Sequence, residues 1–370
     1  MKKTLATTLL AGTSALLVTG CMSGAGGSTE VDASVFADPV AGELPADSLA
    51  GVDMTFVSWG GEFQNVQSAA FSDPFSEITG ATVLPDGPTD QAKLEAQVEA
   101  GNVSWDVINS APTYNAAHCG TLYEELDFSL IDTSKIPEGM PTGDCYVPSL
   151  SYVYTFFYDV ERYGDDPPTS WADFFDTESY PGTRAIDGRA TPTSGTYEAA
   201  LMADGVAPDD LYPLDTDRAI ARFADIEDDT VYWTSGAEQT QMIQGGEADM
   251  IMAWSGRVFE ANEAGADFAP VWEQGIMAND SFSIAKDTEN LVAAHAYINH
   301  ALGAGPQTEM AEGSSYSPVN VDAEPNLSPA AERFDVSRPE VSGVTIPQNA
   351  EYWGEHYAEL SASWQSHLNS

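Results

Sequence analysis

Basic side chains are scarce in this sequence. Only 13 Lys plus Arg stand against 58 Asp plus Glu in 370 residues, a formal net charge of −45. A phosphate-backbone binder needs a basic stripe to release counterions, and beyond Lys2 and Lys3 no basic cluster exists, so nucleic acid is excluded as a partner. Anionic lipid headgroups are excluded on the same ground. Catalytic signatures are missing as well: no G-x-S-x-G, Walker A, G-x-G-x-x-G or H-E-x-x-H occurs. The five histidines are scattered, and His295 lies on an apolar stripe, where a hydrogen-bonded core imidazole is the reading. Acidic pairs such as Asp209-Asp210 and Asp228-Asp229 read as solvated turn charges. The expectation is therefore no enzyme, no cofactor and no metal.

Cysteine is nearly absent too, with three in the chain. Cys21 ends the run Val18-Thr19-Gly20-Cys21, which follows Met-Lys-Lys and the apolar stretch Leu5 to Val18. That stretch is too short to span a membrane and reads as a signal peptide over residues 1–20. Its end looks like a bacterial lipobox, in which Cys21 is acylated. The chain is then exported, to the periplasm or the outer face of the cytoplasmic membrane, and lipid-anchored. Residues 21–50 lack periodicity and suit a flexible tether. Cys119 and Cys145 remain, 26 residues apart in an exported protein, and predict a disulfide. Two buried thiols or a metal site are the alternatives, the latter weak because His118 points away from Cys119 in any regular element.

What the chain does have is 43% hydrophobic and 10% aromatic residues, enough for a core rather than a disordered acidic tail. Its length implies two domains. Strand and helix patterns alternate: a strand Val52 to Ser58, a helix from Phe63 to Gly80, a strand Ala81 to Leu84, a helix Gln91 to Ala100 closed by Gly101, and a strand from Trp105 to Ile108. An aromatic strand, Tyr152 to Tyr158, crosses to a second block. That block has a strand end at Ala185 to Gly188, a helix capped by Ser194 or Thr196, a helix capped by Ser235, and a strand Ala248 to Trp254. Ser281 to Ala285 is a further strand, and a last helix shows Trp353, Tyr357, Leu360 and Trp364 on one face. The order predicts an α/β fold with mostly parallel sheets.

Polar and aromatic residues recur at the expected carboxyl ends of strands: Trp59, Ser110, Asp187, Trp254 and Asp280. Ligands of open α/β sheets sit beyond those ends, so five such positions from distant segments imply one shared cleft. Tryptophan walls with carboxylates suit an amine.

Phe56 to Gly61, Gln97 to Val107, Ser235 to Gln239, Ala253 to Arg257, Asp280-Ser281 and Ser317 to Asn320, in this order, resemble the spermidine/putrescine-binding branch of the ABC-transporter solute-binding proteins. The resemblance implies a two-lobed periplasmic-binding-protein fold of type II. Lobe one would take residues 52–155 plus 279–322, and lobe two 158–275 plus 325–370. It also implies a monomer that captures a small cationic or zwitterionic amine and delivers it to an ABC permease. On this likeness Trp59 and Trp254 stack on the ligand, Ser110 binds it, and Asp280 holds an ammonium; Asp187 fits a second acidic position loosely. Two departures matter. Ala278 stands where polyamine binders carry an aromatic, and Arg189 lies just upstream of the helix start at Thr193-Ser194, the makings of an anion site. A polyamine is the first expectation. A 4-aminobutyrate-like ω-amino acid or a guanidino compound is the second, and an envelope scaffold without a small-molecule ligand the reading of another class.

Overall fold

The computed structural model describes residues 31–370. The signal peptide and Cys21 lie outside them. Ten strands form one curled mixed sheet in the order β2-β1-β3-β9-β4-β7-β5-β6. Lobe one is built on β1 (Asp53–Val57), β2 (Thr82–Asp86) and β3 (Val107–Ser110), which run parallel. Lobe two is built on β5 (Arg184–Asp187), β6 (Thr230–Trp233) and β7 (Met250–Trp254), also parallel. The long strands β4 (Val147–Asp159) and β9 (Ile276–Ile284) pair antiparallel and carry the sheet from one lobe to the other, with β8 (Phe268–Pro270) and β10 (Ile346–Pro347) as short additions.

Local sequence explains most boundaries. Asp90 accepts from the Lys93 amide to start the helix Gln91–Ala100, and Gly101, at φ 62°, ends it in the left-handed conformation. Ser235 and Gly246 do the same for Gly236–Gly245. The single helix expected from Phe63 to Gly80 is continuous but carries a π turn at Ser68–Ser72. Each lobe buries its own aromatic core. Phe56, Phe71, Phe75, Phe282 and Tyr297 pack lobe one, while Trp171, Phe223, Trp233, Trp353 and Trp364 pack lobe two. His295 is a core imidazole: its Nε2 accepts from the Asp127 amide at 2.9 Å, and its Nδ1 lies 2.7 Å from the Leu291 carbonyl oxygen.

Two expectations change. The described part of the 21–50 segment is not a tether but a docked strap. Phe36 and Leu49 are buried in lobe one, the Gly42 amide donates to the Asn299 carbonyl at 2.9 Å, and the Asn299 side chain returns a bond to the Val40 carbonyl. At Gly42 (φ 87°) an added Cβ would stand 2.9 Å from the Gly303 Cα, so only glycine permits this approach. Asp280 is not at a strand end either: it lies inside β9 opposite Leu150. The polar run Asn279-Asp280-Ser281 hides the first half of that strand from a hydropathy pattern.

Cys119 and Cys145 form a disulfide with a Cα separation of 5.5 Å, which ties the end of the helix Pro112–Ala117 to the start of β4. For the loop it closes, removal by Cys→Ser at both positions is expected to cost about 3.5 kcal/mol in the chain-entropy picture. Urea unfolding with and without reductant measures it, and an unchanged midpoint would contradict the expectation.

Candidate functional site between the lobes

Trp59 stands two residues past the end of β1, and its indole Nε1 donates to Asp280 Oδ2 at 2.8 Å. The Asn109 side-chain amide, from β3, donates to the same oxygen at 2.8 Å, and its carbonyl accepts from Ser149 Oγ at 2.6 Å. Asp280 is thus held by lobe one within the crossover ladder and is buried. Burial raises its pKa above the ordinary carboxylate range; the donors from Asn109 and Trp59 and the charge of Arg257 only partly offset that.

The opposite pole comes from lobe two. Asp187 ends β5 and is fully buried, and its oxygens are committed. Oδ1 accepts from the Arg189 amide (2.9 Å) and Nε (3.1 Å); Oδ2 accepts from Arg189 Nη2 (2.7 Å), the Thr193 amide (2.8 Å) and Thr193 Oγ1 (2.7 Å). The guanidinium is also stacked, with its centre 4.9 Å from the Trp254 ring and 5.4 Å from the Trp233 ring. Burial alone would weaken its charge, but Asp187 more than offsets this and raises its pKa. Nη1 has no hydrogen-bond partner among the described residues, and the side chain is 26% exposed. Just beyond, the helix Thr196–Ala203 begins, and the hydroxyl of buried Ser194 at its entry is unpartnered.

Tyr152 feels the charges of both Asp280 and Arg189. It stands on β4 opposite Ala278, and burial and then the Asp280 charge raise its pKa while the Arg189 charge pulls it back, so both poles reach its hydroxyl. Trp254 ends β7 opposite Tyr154.

Of the six positions singled out from the sequence, Trp59 and Asp280 meet through a hydrogen bond on lobe one, and Asp187, Arg189 and Trp254 meet on lobe two. Within this group Asp187 faces Arg189 rather than open space. Ser110 is apart: its hydroxyl donates to Asn115 Oδ1 at 2.5 Å, and Asn115 in turn donates to Ser281 Oγ. Strand alternation is the reason, because Ser110 pairs with Ser281 while its neighbour Asn109 pairs with Phe282 and shares the face of Asp280. Asn109 and Tyr152 were not legible as site residues. Asn109 was detectable as the alternate residue of the same strand end. Tyr152 was masked by the aromatic run of its strand.

Among the described residues no group of three or more His, Cys, Asp and Glu side chains could hold a metal ion. A cavity of about 850 Å³ lies elsewhere, against Ser151, Met277 and Asn279 on the opposite face of the β4–β9 ladder. Its lining holds Glu138, Asp209 and Glu351 but no Lys or Arg, whereas Asp280 and Arg189 set a carboxylate beside Trp59 and a guanidinium beside Trp254. Opposite charges of this kind suit the two ends of a small molecule bearing an ammonium and an anion.

Comparison with known proteins gives a consistent picture. Residues 70–333 match the bacterial extracellular solute-binding protein family. The gamma-aminobutyric acid-binding protein of Pseudomonas aeruginosa is 29% identical over 317 residues, covering 83% of this chain and 88% of that protein. A solved GABA receptor is 38% identical with a TM-score of 0.76, covering 85% of this chain and 97% of the other. The binding protein AgtB of A. tumefaciens in complex with agropinic acid is 30% identical with a TM-score of 0.77, covering 86% and 99%.

Proposed function

Because the chain belongs to the bacterial extracellular solute-binding protein family, a family of transport rather than catalytic proteins, we propose that it captures 4-aminobutyrate or a close ω-amino acid for an ABC permease. The observation that carries this reading is the free edge of Arg189, fixed by Asp187 and held 4.9 Å from the Trp254 ring, with the charges of Arg189 and Asp280 both felt at Tyr152. The solute ammonium takes Asp280, and its carboxylate takes Arg189 Nη1 and the Ser194 hydroxyl. Trp59 and Trp254 wall the methylenes.

This reverses the order of the two expectations drawn from the sequence. A polyamine would set its second ammonium against a guanidinium, and Asp187, the acid meant to receive it, has its oxygens filled by Arg189 and Thr193. The relatives that bind GABA and agropinic acid favour the same order. Lipid attachment through Cys21 belongs to this proposal as well. Transport from outside the cell requires export, and the lipobox-like run supplies the anchor.

Calorimetry and thermal shift with 4-aminobutyrate, 5-aminopentanoate, putrescine and spermidine test the reading. The amino acids should raise the melting temperature and the diamines should not; stabilisation by putrescine or spermidine alone would sink it. The pH dependence has a definite sign. In the empty site burial raises the Asp280 pKa, and a bound ammonium lowers it. Affinity then falls as pH drops through the raised pKa of the empty site, at a higher pH than an ordinary carboxylate would give. A flat profile from neutrality down to about pH 4 would contradict the ammonium contact.

A further inference from the structure

The β1–β3 ladder stops just before the site. Its last registered pair is Val57 with Ile108, and the next residues along, Ser58 and Asn109, are not paired with each other. Both matter to Asp280: Ser58 precedes Trp59, and Asn109 supplies its own side-chain amide. Thr89 fills the gap. Its amide donates to the Ser58 carbonyl at 2.8 Å, and its hydroxyl donates to the Asn109 carbonyl at 3.0 Å. One residue of the loop after β2 thus staples two strand ends where the ladder no longer does.

The same loop holds the main chain on both sides of Trp59. Before it, the Ser58 amide donates to the Asp86 carbonyl at 3.1 Å, and the Ser58 hydroxyl donates to Gln67 Oε1 at 2.5 Å. After it, the Gly60 amide donates to Gln64 Oε1 at 3.0 Å, and Gln64 Nε2 donates to the Asp86 carbonyl at 2.8 Å. Gly87 lies against this turn, where an added Cβ would stand 2.5 Å from Gln64 Oε1 and 2.7 Å from the Ser58 carbonyl oxygen.

The purpose of this bracing is visible at Asp280. Trp59 and Asn109 come from different strands yet approach one oxygen, each at 2.8 Å. Two donors on one acceptor require both strand ends to be in place, because such bonds weaken steeply once bent. We propose that Thr89 is a positioning residue for the ammonium pole: its hydroxyl keeps the Trp59 and Asn109 ends together, so that both serve Asp280 Oδ2 and Oδ1 is left to the solute. The inference deepens the proposed function and rests on it for the solute, whereas the staple is a property of the empty protein. Thr89 makes no hydrogen bond to Asp280 itself and acts through the two donors.

Thr89→Val removes the hydroxyl at nearly constant volume, and Thr89→Ser restores it. In the solute-free protein, hydrogen exchange of the Trp59 indole N–H, assigned by its loss in Trp59→Phe, should be about 3- to 10-fold faster in Thr89→Val and near wild type in Thr89→Ser. Calorimetry should show 4-aminobutyrate bound about 3- to 10-fold more weakly by Thr89→Val, again recovered by Thr89→Ser. The pH profile carries a sign. Poorer donors leave the Asp280 charge less stabilised, so its pKa in the empty site rises further and affinity falls at a higher pH than in wild type. The other groups around it, Tyr152, Tyr316 and the guanidinium groups of Arg257 and Arg189, are left in place by the substitution. A Thr89→Val protein indistinguishable from wild type overturns the proposal. So does one with a lowered melting temperature but unmoved indole exchange and pH profile, which has lost packing only. If 4-aminobutyrate fails to bind the wild type while the indole exchange responds, the solute reading falls and the staple stands.

Discussion

Asp187→Ala is expected to abolish binding of the ω-amino acid and to lower folding stability by about 3–5 kcal/mol. Both losses have one origin. The carboxylate is fully buried and receives Arg189 and Thr193 through main-chain and side-chain donors, so its removal leaves a guanidinium held among Trp233 and Trp254 without a counter-charge. Arg189 must then rotate toward water, which dismantles the anion pole, or stay buried and unpaired. Asp187→Asn keeps the shape and one acceptor but not the charge, and it should fall between wild type and alanine on both measures. Chemical denaturation and calorimetry on the same preparations decide the matter. Stability within about 1 kcal/mol of wild type would show that Asp187 does not govern Arg189.

Asp280→Asn should separate what Asp187→Ala joins. Affinity for the solute is expected to fall by a hundredfold or more, since a desolvated ammonium loses its only carboxylate. Solute-free stability should hold or rise. Folding raises the pKa of Asp280, so the folded state disfavours its charge at neutral pH, and that cost disappears with the neutral amide. Trp59 and Asn109 can still donate to the amide oxygen. A variant that binds normally would remove Asp280 from the site; one that binds poorly because it unfolds would show a lowered melting temperature, which separates the two cases.

Much of this was readable from the sequence because the relevant signals are local. The caps Asp90 and Ser235, the terminators Gly101 and Gly246 and the strand ends at Asp187 and Trp254 mark elements whose boundaries depend on neighbours within a few residues. Asp187 and Arg189 were visible as a pair, but which of the two serves a ligand depends on Thr193 and on rings 44 and 65 residues downstream of Arg189, at Trp233 and Trp254. Ser110 was one residue off the cleft because strand parity, not composition, selects Asn109. Asp280 was assigned to a strand end because polar residues on a fully paired, buried strand defeat the hydropathy pattern that locates strands. The proposed solute rests on the opposite charges of Asp280 and Arg189, carried by different lobes, a relation no linear motif encodes.

The docked strap ahead of β1 makes the start of the described chain part of lobe one. Phe36, Gly42 and Leu49 fasten it there, so any pull on the chain ahead of residue 31 is carried by lobe one. The lipid proposed at Cys21 would therefore be an attachment of lobe one and not of lobe two. A permease meeting this protein would then find its orientation half-decided before any contact is made.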